Sequence, residues 1–335
     1  MGKDNLMTQS TKTILSGITP SGRLHLGNYF GAMRQHLKMQ HMGDAYYFIA
    51  NYHSLTALQD GVQVRENSIH IAMDYLALGL DPKACTFFLQ SDVPQVTELS
   101  WILATYCPVS LMEKGVAYKD KIAAGLSPNA GLFTYPILQA ADILIYDSDL
   151  VPVGADQKQN IEICRDLAGK LNHTAAEELL KLPEPYIVEG VAVVPGIDGR
   201  KMSKSYQNTI GIFDEGKNLK KQVMSIQTDS LGLDEPKDPD KCNVFALIRL
   251  FASEDVRHEI AERYRAGGYG YGHAKNELLD MINDYFGEAR ERRKELVKRP
   301  DDVMDILRDG GTRARERAEI VMERVRPAIG LLTTY

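Results

Sequence analysis

Cysteine is scarce in this 335-residue chain, and Cys85, Cys107, Cys164 and Cys242 are scattered without a C-x-x-C pair. Such spacing gives neither a disulfide framework nor a zinc site, and it predicts a reducing, cytoplasmic setting. No apolar run is long enough to span a bilayer, so no membrane role is expected. Residues 1–12 are polar and lack the apolar core of a secretory signal, and they read as a disordered tail. Positive charge is not in excess either. Lys+Arg number 39 against 45 Asp+Glu, a net charge of −6, so no global basic field holds nucleic acid, although a local patch still can. Internal repeats and low-complexity tracts are absent.

What the chain does have is alternation. TILSG (Thr13 to Gly17), AYYFIANYH (Ala45 to His53), CTFFLQS (Cys85 to Ser91) and DLVPVG (Asp149 to Gly154) read as short buried strands. Between them lie helical patterns. One begins near Gly27 with Phe30, Met33 and Leu37 on one face, and one runs from Val64 to Leu78 with Ile69, Met73 and Leu76 inward. A third passes through Leu99 and Leu103, and QKQNIEICRDLAGKL forms a fourth behind an N-cap at Asp156. Strands separated by helices predict an α/β fold with a parallel sheet.

After about Ser205 strand-like runs thin out and helices take over. The last, TRARERAEIVMERVRPAIGLL, carries Ala314, Ala318, Val321, Val325 and Ile329 at helical spacing. This half is locally Arg-rich, with Arg290, Arg292, Arg293, Lys294, Lys298 and Arg299. On charge alone, that cluster reads as solvated helix faces.

Two glycine patterns lead nowhere. GITPSGR (Gly17 to Arg23) has P-loop spacing but puts Arg23 and Leu24 where the phosphate-binding Lys and the magnesium-binding hydroxyl belong. GGYGYG (Gly267 to Gly272) follows no strand and reads as a turn between helices. The informative loop is PSGRLHLGN, Pro20 to Asn28. Here Gly27 opens a helix after the first strand, leaving backbone N–H groups and the positive dipole end for an anion, and admitting a flat base against the backbone. His25 and Asn28 are short polar groups placed for phosphate and ribose; a capped helix start with a surface histidine accounts for them equally well. The second informative loop is KMSKS, Lys201 to Ser205, whose two lysines can reach a polyphosphate and whose serines and neighbouring Gly199 let it move.

In this order, HLGN after the first strand and KMSKS after the sheet, the two motifs resemble the signature pair of class I aminoacyl-tRNA synthetases. The resemblance implies a Rossmann-type domain over 13–205 that binds ATP at the switch point of the sheet. A helical anticodon-binding domain would occupy 206–335, with the last helix able to pack back on the first domain. SGITPSGRLHLGNYFGA, AYYFIANYHSLT, TYPILQAADILIY and VPVGADQKQNIE look like the tryptophanyl-tRNA synthetase family. The tyrosyl enzymes share the architecture but typically carry G-G-S-D-Q where this chain has VGADQ, so tyrosine is the second choice. A non-catalytic paralogue that binds tRNA or tryptophan is the third.

The resemblance implies a cytoplasmic ligase that would activate L-tryptophan with ATP, carry Mg²⁺ on the nucleotide, transfer the product to tRNA(Trp) and work as a homodimer. Mapped by motif, it implies that Lys201, Lys204 and His25 act on the phosphates. Thr19, Pro20, Ser21, Gly27, Asn28, Gly154, Ala155, Asp156, Val193, Met202, Ser203 and Ser205 complete the ATP site. Asp142 accepts the indole N–H, and Tyr135, His53, Gln157 and Gln139 surround the substrate. Taken singly, each has a plainer reading: Asp142 a helix residue paired with a Lys or Arg, Tyr135 a core residue, His53 a strand end, Gln157 a helix face. Gln139, Leu15 and Thr19 depart from the residues frequent in the family, and Gln139 brings an amide donor and acceptor to the substrate pocket.

Overall fold

The computed structural model describes residues 11–113, 116–123, 125, 127–154, 157–187 and 193–332. Five parallel strands form its sheet: β1 (Thr13–Ile18), β2 (Asp44–Ile49), β3 (Cys85–Leu89), β4 (Leu150–Val153) and β5 (Glu184–Ile187), in the order β3-β2-β1-β4-β5. Both faces are covered, which is why the strands read as nearly continuous apolar runs. Period two sorts them all the same. Ala45, Tyr47 and Ile49 of β2 enter one core, and Tyr46 and Phe48 enter the other.

Five helices make the four main crossover connections. A continuous helix over 26–39, α1, joins β1 to β2, and its middle turn, Tyr29–Met33, is π-helical. The second, α2 (Gly61–Ala77), is capped by Asp60, whose carboxylate accepts from the N–H groups of Val62 and Gln63, and it leads to β3. From β3 the chain passes through α3 (Gln95–Thr105) and α4 (Ala130–Leu144) to β4, on the far side of β1. Finally α5 (Lys158–Ala175) carries β4 to β5. The strand order reverses between β1 and β4, and the crevice beyond their C-terminal ends is where such sheets bind ligands.

Three local readings need correction. The second strand stops at Ile49. Ala50 donates to the Ile18 carbonyl, and a one-turn helix, Asn51–Ser54, follows because Asn51 locks onto Ser91 from both sides of its amide. His53 therefore sits on a helical turn, not at a strand end. The N-cap position of α5 is held by Gln157, while Asp156 lies outside the described residues, as do Ala155 and the first ten residues of the expected tail. The fifth strand, EPYI, went unread because it is four residues long with Pro185 inside. Its place at the sheet edge makes the missing N–H tolerable.

From Gly216 onward every regular α-helix belongs to the second half: α6 (Gly216–Met224), α7 (Asn243–Phe251), α8 (Glu254–Ala266), α9 (Tyr271–Lys298) and α10 (Pro300–Ala328). The turn between α8 and α9 puts Gly267 and Gly268 at φ of 77° and 74°, a conformation that favours glycine. Several arginines read as solvated are internal braces. Arg290 is only 4% exposed and Arg292 Nε donates to the Ala77 carbonyl. Arg293 pairs with buried Asp74 of α2. Lys298 and Arg299 keep to surface pairs with Glu295 and Asp302. The last helix crosses from one core to the other. Val303 and Leu307 join the first, and Ala314, Ala318, Val321 and Val325 the second. At the crossing it runs hard against β3: a Cβ on Gly310 would lie 1.9 Å from the Phe87 carbonyl oxygen.

Candidate active site

A cleft of about 810 Å³ opens at the switch point. Its floor comes from Leu15, Phe48 and Val151 on the central strands. Thr19, Pro20 and Ser21 enter it after β1, His53 after β2 and Gly154 after β4, while Tyr135, Gln139 and Asp142 descend from α4 and Gln157 from the start of α5. Positions 135, 139 and 142 are spaced to share one face of a helix, which explains how one segment supplies three groups.

Asp142 is the most heavily engaged of these. It is 2% exposed, and burial pushes its carboxyl above the usual carboxylate range; His53 and Gln90 oppose that shift. Gln90 Nε2 donates to both oxygens at 2.8 Å, and His53 Nε2 lies 2.9 Å from Oδ2. Neither of these partners is a Lys or Arg. Gln90, itself 0% exposed, is fixed from behind by the Tyr52 N–H on its Oε1 at 3.0 Å. The sequence reading missed this glutamine. Its signal was available, as a polar residue closing an apolar strand where parallel sheets open their crevice. His53 also meets Tyr135 edge to face, with ring centroids 6.4 Å apart.

A second polar group lines the same wall. Asn160 Nδ2 donates to Gln139 Oε1 at 3.0 Å and to Gln157 Oε1 at 2.9 Å, with Gln139 Nε2 3.5 Å from Gln157 Oε1.

The two motif loops meet beside the cleft. Gly27 N–H points at Met202 Sδ, 3.4 Å away, and a Cβ on Gly27 would crowd the His25 ring at 3.0 Å. Asn28 Oδ1 accepts from the His25 N–H at 3.1 Å, so its side chain closes the helix start. His25 is 6% exposed, and burial, helped by the charge on Lys204, pulls its imidazole down to about 4, so it is neutral at pH 7. Lys204 reaches across to the Ser21 carbonyl at 2.9 Å and Oγ at 3.3 Å; burial lowers its affinity for a proton and Asp74 restores part of it. Lys201 is exposed, as are Ser205 and Val193, whereas Met202 is buried. The loop turns on Asn208, a residue not anticipated. Its Oδ1 accepts from Ser203 N–H at 2.8 Å, and its Nδ2 donates to Asp198 at 2.7 Å and the Lys201 carbonyl at 3.1 Å. Thus Thr19, Pro20, Ser21, Gly154, Gln157, Tyr135, Gln139, His53 and Asp142 share one cleft. His25, Gly27, Asn28, Met202 and Lys204 form the adjoining wall.

Residues 7–287 match the family of class I tRNA synthetases for W and Y. The tryptophan–tRNA ligase of Fusobacterium nucleatum is 54% identical over 321 residues, covering 96% of this chain and 98% of that protein. The chain belongs to the tryptophan–tRNA ligases of this family. The crystal structure of tryptophanyl-tRNA synthetase from Campylobacter jejuni, complexed with ADP and tryptophan, superposes with a TM-score of 0.90 at 50% identity, covering 95% of this chain and all of that one. Tyrosyl-tRNA synthetase from Archaeoglobus fulgidus shares the fold, with a TM-score of 0.66 at 18% identity over 86% and 91% of the two chains.

Proposed function

We propose that this chain is a tryptophan–tRNA ligase that forms tryptophanyl-adenylate from L-tryptophan and ATP and passes the aminoacyl group to tRNA(Trp). The observation that carries the reading is the unfinished coordination of Asp142. A carboxylate offers about four acceptor positions, and Gln90 and His53 account for three contacts. Among the described residues one acceptor position is left on this buried carboxyl group facing the cleft, and the indole N–H is the single donor on tryptophan's ring. Tyr135, His53, Gln139 and Gln157 then border the amino acid.

In this reading ATP lies across Thr19, Pro20, Ser21 and Gly154, with Ala155, Asp156, Gly27 and Asn28 near its ribose and base and the exposed Val193 flanking adenine. The carboxylate of tryptophan attacks the α-phosphorus and pyrophosphate leaves; no protein nucleophile takes part. The chain contributes alignment and charge. Lys204 already overhangs the Ser21 loop, and Lys201, Ser203 and Ser205 join it when the loop closes on the phosphates. Neutral His25 donates from a ring nitrogen to a phosphate oxygen without adding charge. Among the described residues no group of three or more His, Cys, Asp or Glu side chains could hold a metal. Mg²⁺ would arrive with the nucleotide and would supply positive charge beside Lys201 and Lys204 for the departing pyrophosphate.

The helical region after 205 carries the tRNA anticodon, and the remaining likenesses of the family, a homodimer and a cytoplasmic setting, extend the same reading. The free cysteines suit that compartment, and no helix of the described residues is long and apolar enough to cross a membrane. ATP–pyrophosphate exchange with tryptophan and tyrosine in parallel tests the core of it. Exchange with tryptophan alone is the expected result; exchange with tyrosine overturns the role of Asp142, and exchange with neither leaves a binding paralogue.

A further inference from the structure

The two motif loops are held together by the short segment that follows KMSKS. At one end Asn208 braces the KMSKS loop through Ser203 and Lys201. At the other, Leu26 N–H donates to the Ile210 carbonyl at 3.0 Å and Ile212 N–H to the Leu24 carbonyl at 3.2 Å, so His25 pairs antiparallel with Gly211. Ile210 and Ile212 are fully buried. Residues 208–212 therefore act as a rod of fixed length between the two loops.

One side chain from the helical half grips the end of this rod. Arg290 of α9 donates from Nε to the Ile212 carbonyl at 2.9 Å and from Nη1 to Asn283 Oδ1 at 2.8 Å, while its Nη2 is buried with no hydrogen-bond partner among the described residues. A buried guanidinium with an unmet donor is costly. Simple adhesion between the two halves does not require it, because the partly exposed Arg292 and Arg293 already tie α9 to α2. What the buried fork adds is orientation. Two donors in one rigid plane, one on Asn283 of the same helix and one on the rod, fix where Ile212 lies relative to α9.

We propose that Arg290 is a positioning residue for adenylate formation, setting through the Ile212 carbonyl the spacing of the HLGN and KMSKS loops and hence the seat of the ATP phosphates. The proposal rests on the function given above. It links the helical half to the ATP side of the cleft and leaves the tryptophan side, built on α4 and Gln90, alone.

The test is pyrophosphate exchange with tryptophan by the full chain as wild type, Arg290→Ala, Arg290→Lys and Arg292→Ala, with tryptophan affinity measured separately by calorimetry. A wild-type protein without exchange refutes the assigned function rather than this role. With exchange established, Arg290→Ala is expected to lower kcat/KM for ATP on the order of 100-fold, the scale of an ångström-level misplacement, with tryptophan affinity near wild type. Arg290→Lys, which keeps one donor for Ile212, should recover part of the loss, and Arg292→Ala should stay near wild type. Equal loss on the tryptophan and ATP sides overturns the proposal. So does an ATP-selective loss of the same size in Arg292→Ala. If Arg290→Ala does not fold, Asn283→Ala, which removes half of the fork, decides: it must weaken ATP use without weakening tryptophan binding, and unchanged ATP kinetics refute the role.

Discussion

Gln90 holds Asp142 by both carboxylate oxygens at once, each 2.8 Å from the same amide nitrogen. Replacing it with leucine keeps the volume roughly the same and leaves the carboxylate supported by His53 alone. Gln90→Leu should raise the carboxyl's affinity for a proton further, cost about 1–3 kcal/mol of stability, and raise KM for tryptophan while KM for ATP stays near wild type. Urea unfolding and pyrophosphate exchange measure the two effects separately.

Asp142 also sets a rejection test. A tryptophan methylated on the indole nitrogen has no donor for the remaining acceptor position and should be discriminated against by about 10⁴ in kcat/KM. In Asp142→Ala that discrimination should shrink sharply, because the penalty comes from the unpaired carboxylate. Discrimination that persists in Asp142→Ala would place the indole N–H elsewhere.

Lys204 overhangs the Ser21 loop, whereas the substrate wall is formed by α4. Lys204→Ala should lower the activation rate by about 10²–10³ and leave tryptophan affinity nearly unchanged. Single-turnover adenylate formation beside equilibrium tryptophan binding checks this, and equal losses in both contradict it.

Acid should weaken the fold through His36. Its ring is buried between Ser16 Oγ and Tyr75 OH, each 2.9 Å from a ring nitrogen, and burial pulls it from 6.5 down to about 4. The unfolded chain therefore binds the proton first. Stability contributed by the neutral ring is complete above pH 6.5 and is lost as pH falls toward 4, amounting to about 2 kcal/mol by pH 5. His25 adds a loss of the same sign. Urea midpoints at pH 7 and pH 5 should differ accordingly, and His36→Gln should flatten part of the difference.

Gln139 offers an amide to the substrate wall, restrained by Asn160. Gln139→Met should shift preference among ring-substituted tryptophans from acceptor-bearing toward apolar substituents, with tryptophan itself little affected. Relative exchange rates across such analogues measure it; an unchanged ranking refutes a selectivity role.

Four of the five strands, four of the crossover helices and both motif loops were legible because each leaves a periodic or compositional trace. Buried strands alternate between two cores, and HLGN and KMSKS are continuous strings. The structure supplies long-range pairing, which has no local signature. Gln90 and Asp142 are 52 residues apart, and Arg290 reaches Ile212 across 78. The Arg-rich stretch shows the same limit from the other side. Its charges looked like solvent-facing groups because their acceptors, the Ala77 and Ile212 carbonyls and Asp74, lie in distant segments. Local breaks fail for the same reason: Asn51 ends β2 by bonding to Ser91, a partner forty positions away.

The passage of α10 over β3 bears on how the molecule is made. Gly310 follows Phe87 by 223 residues, and Arg313 donates to the Cys85 and Pro82 carbonyls beside it. At a synthesis rate of about 5–20 residues per second, CTFFL leaves the ribosome roughly 10–45 s before the helix that covers it. For that interval the nascent chain carries an apolar strand at an open sheet edge, free to pair with a neighbouring chain on the same message. The missing Cβ at Gly310 then lets the helix dock flush against β3 and end that exposure.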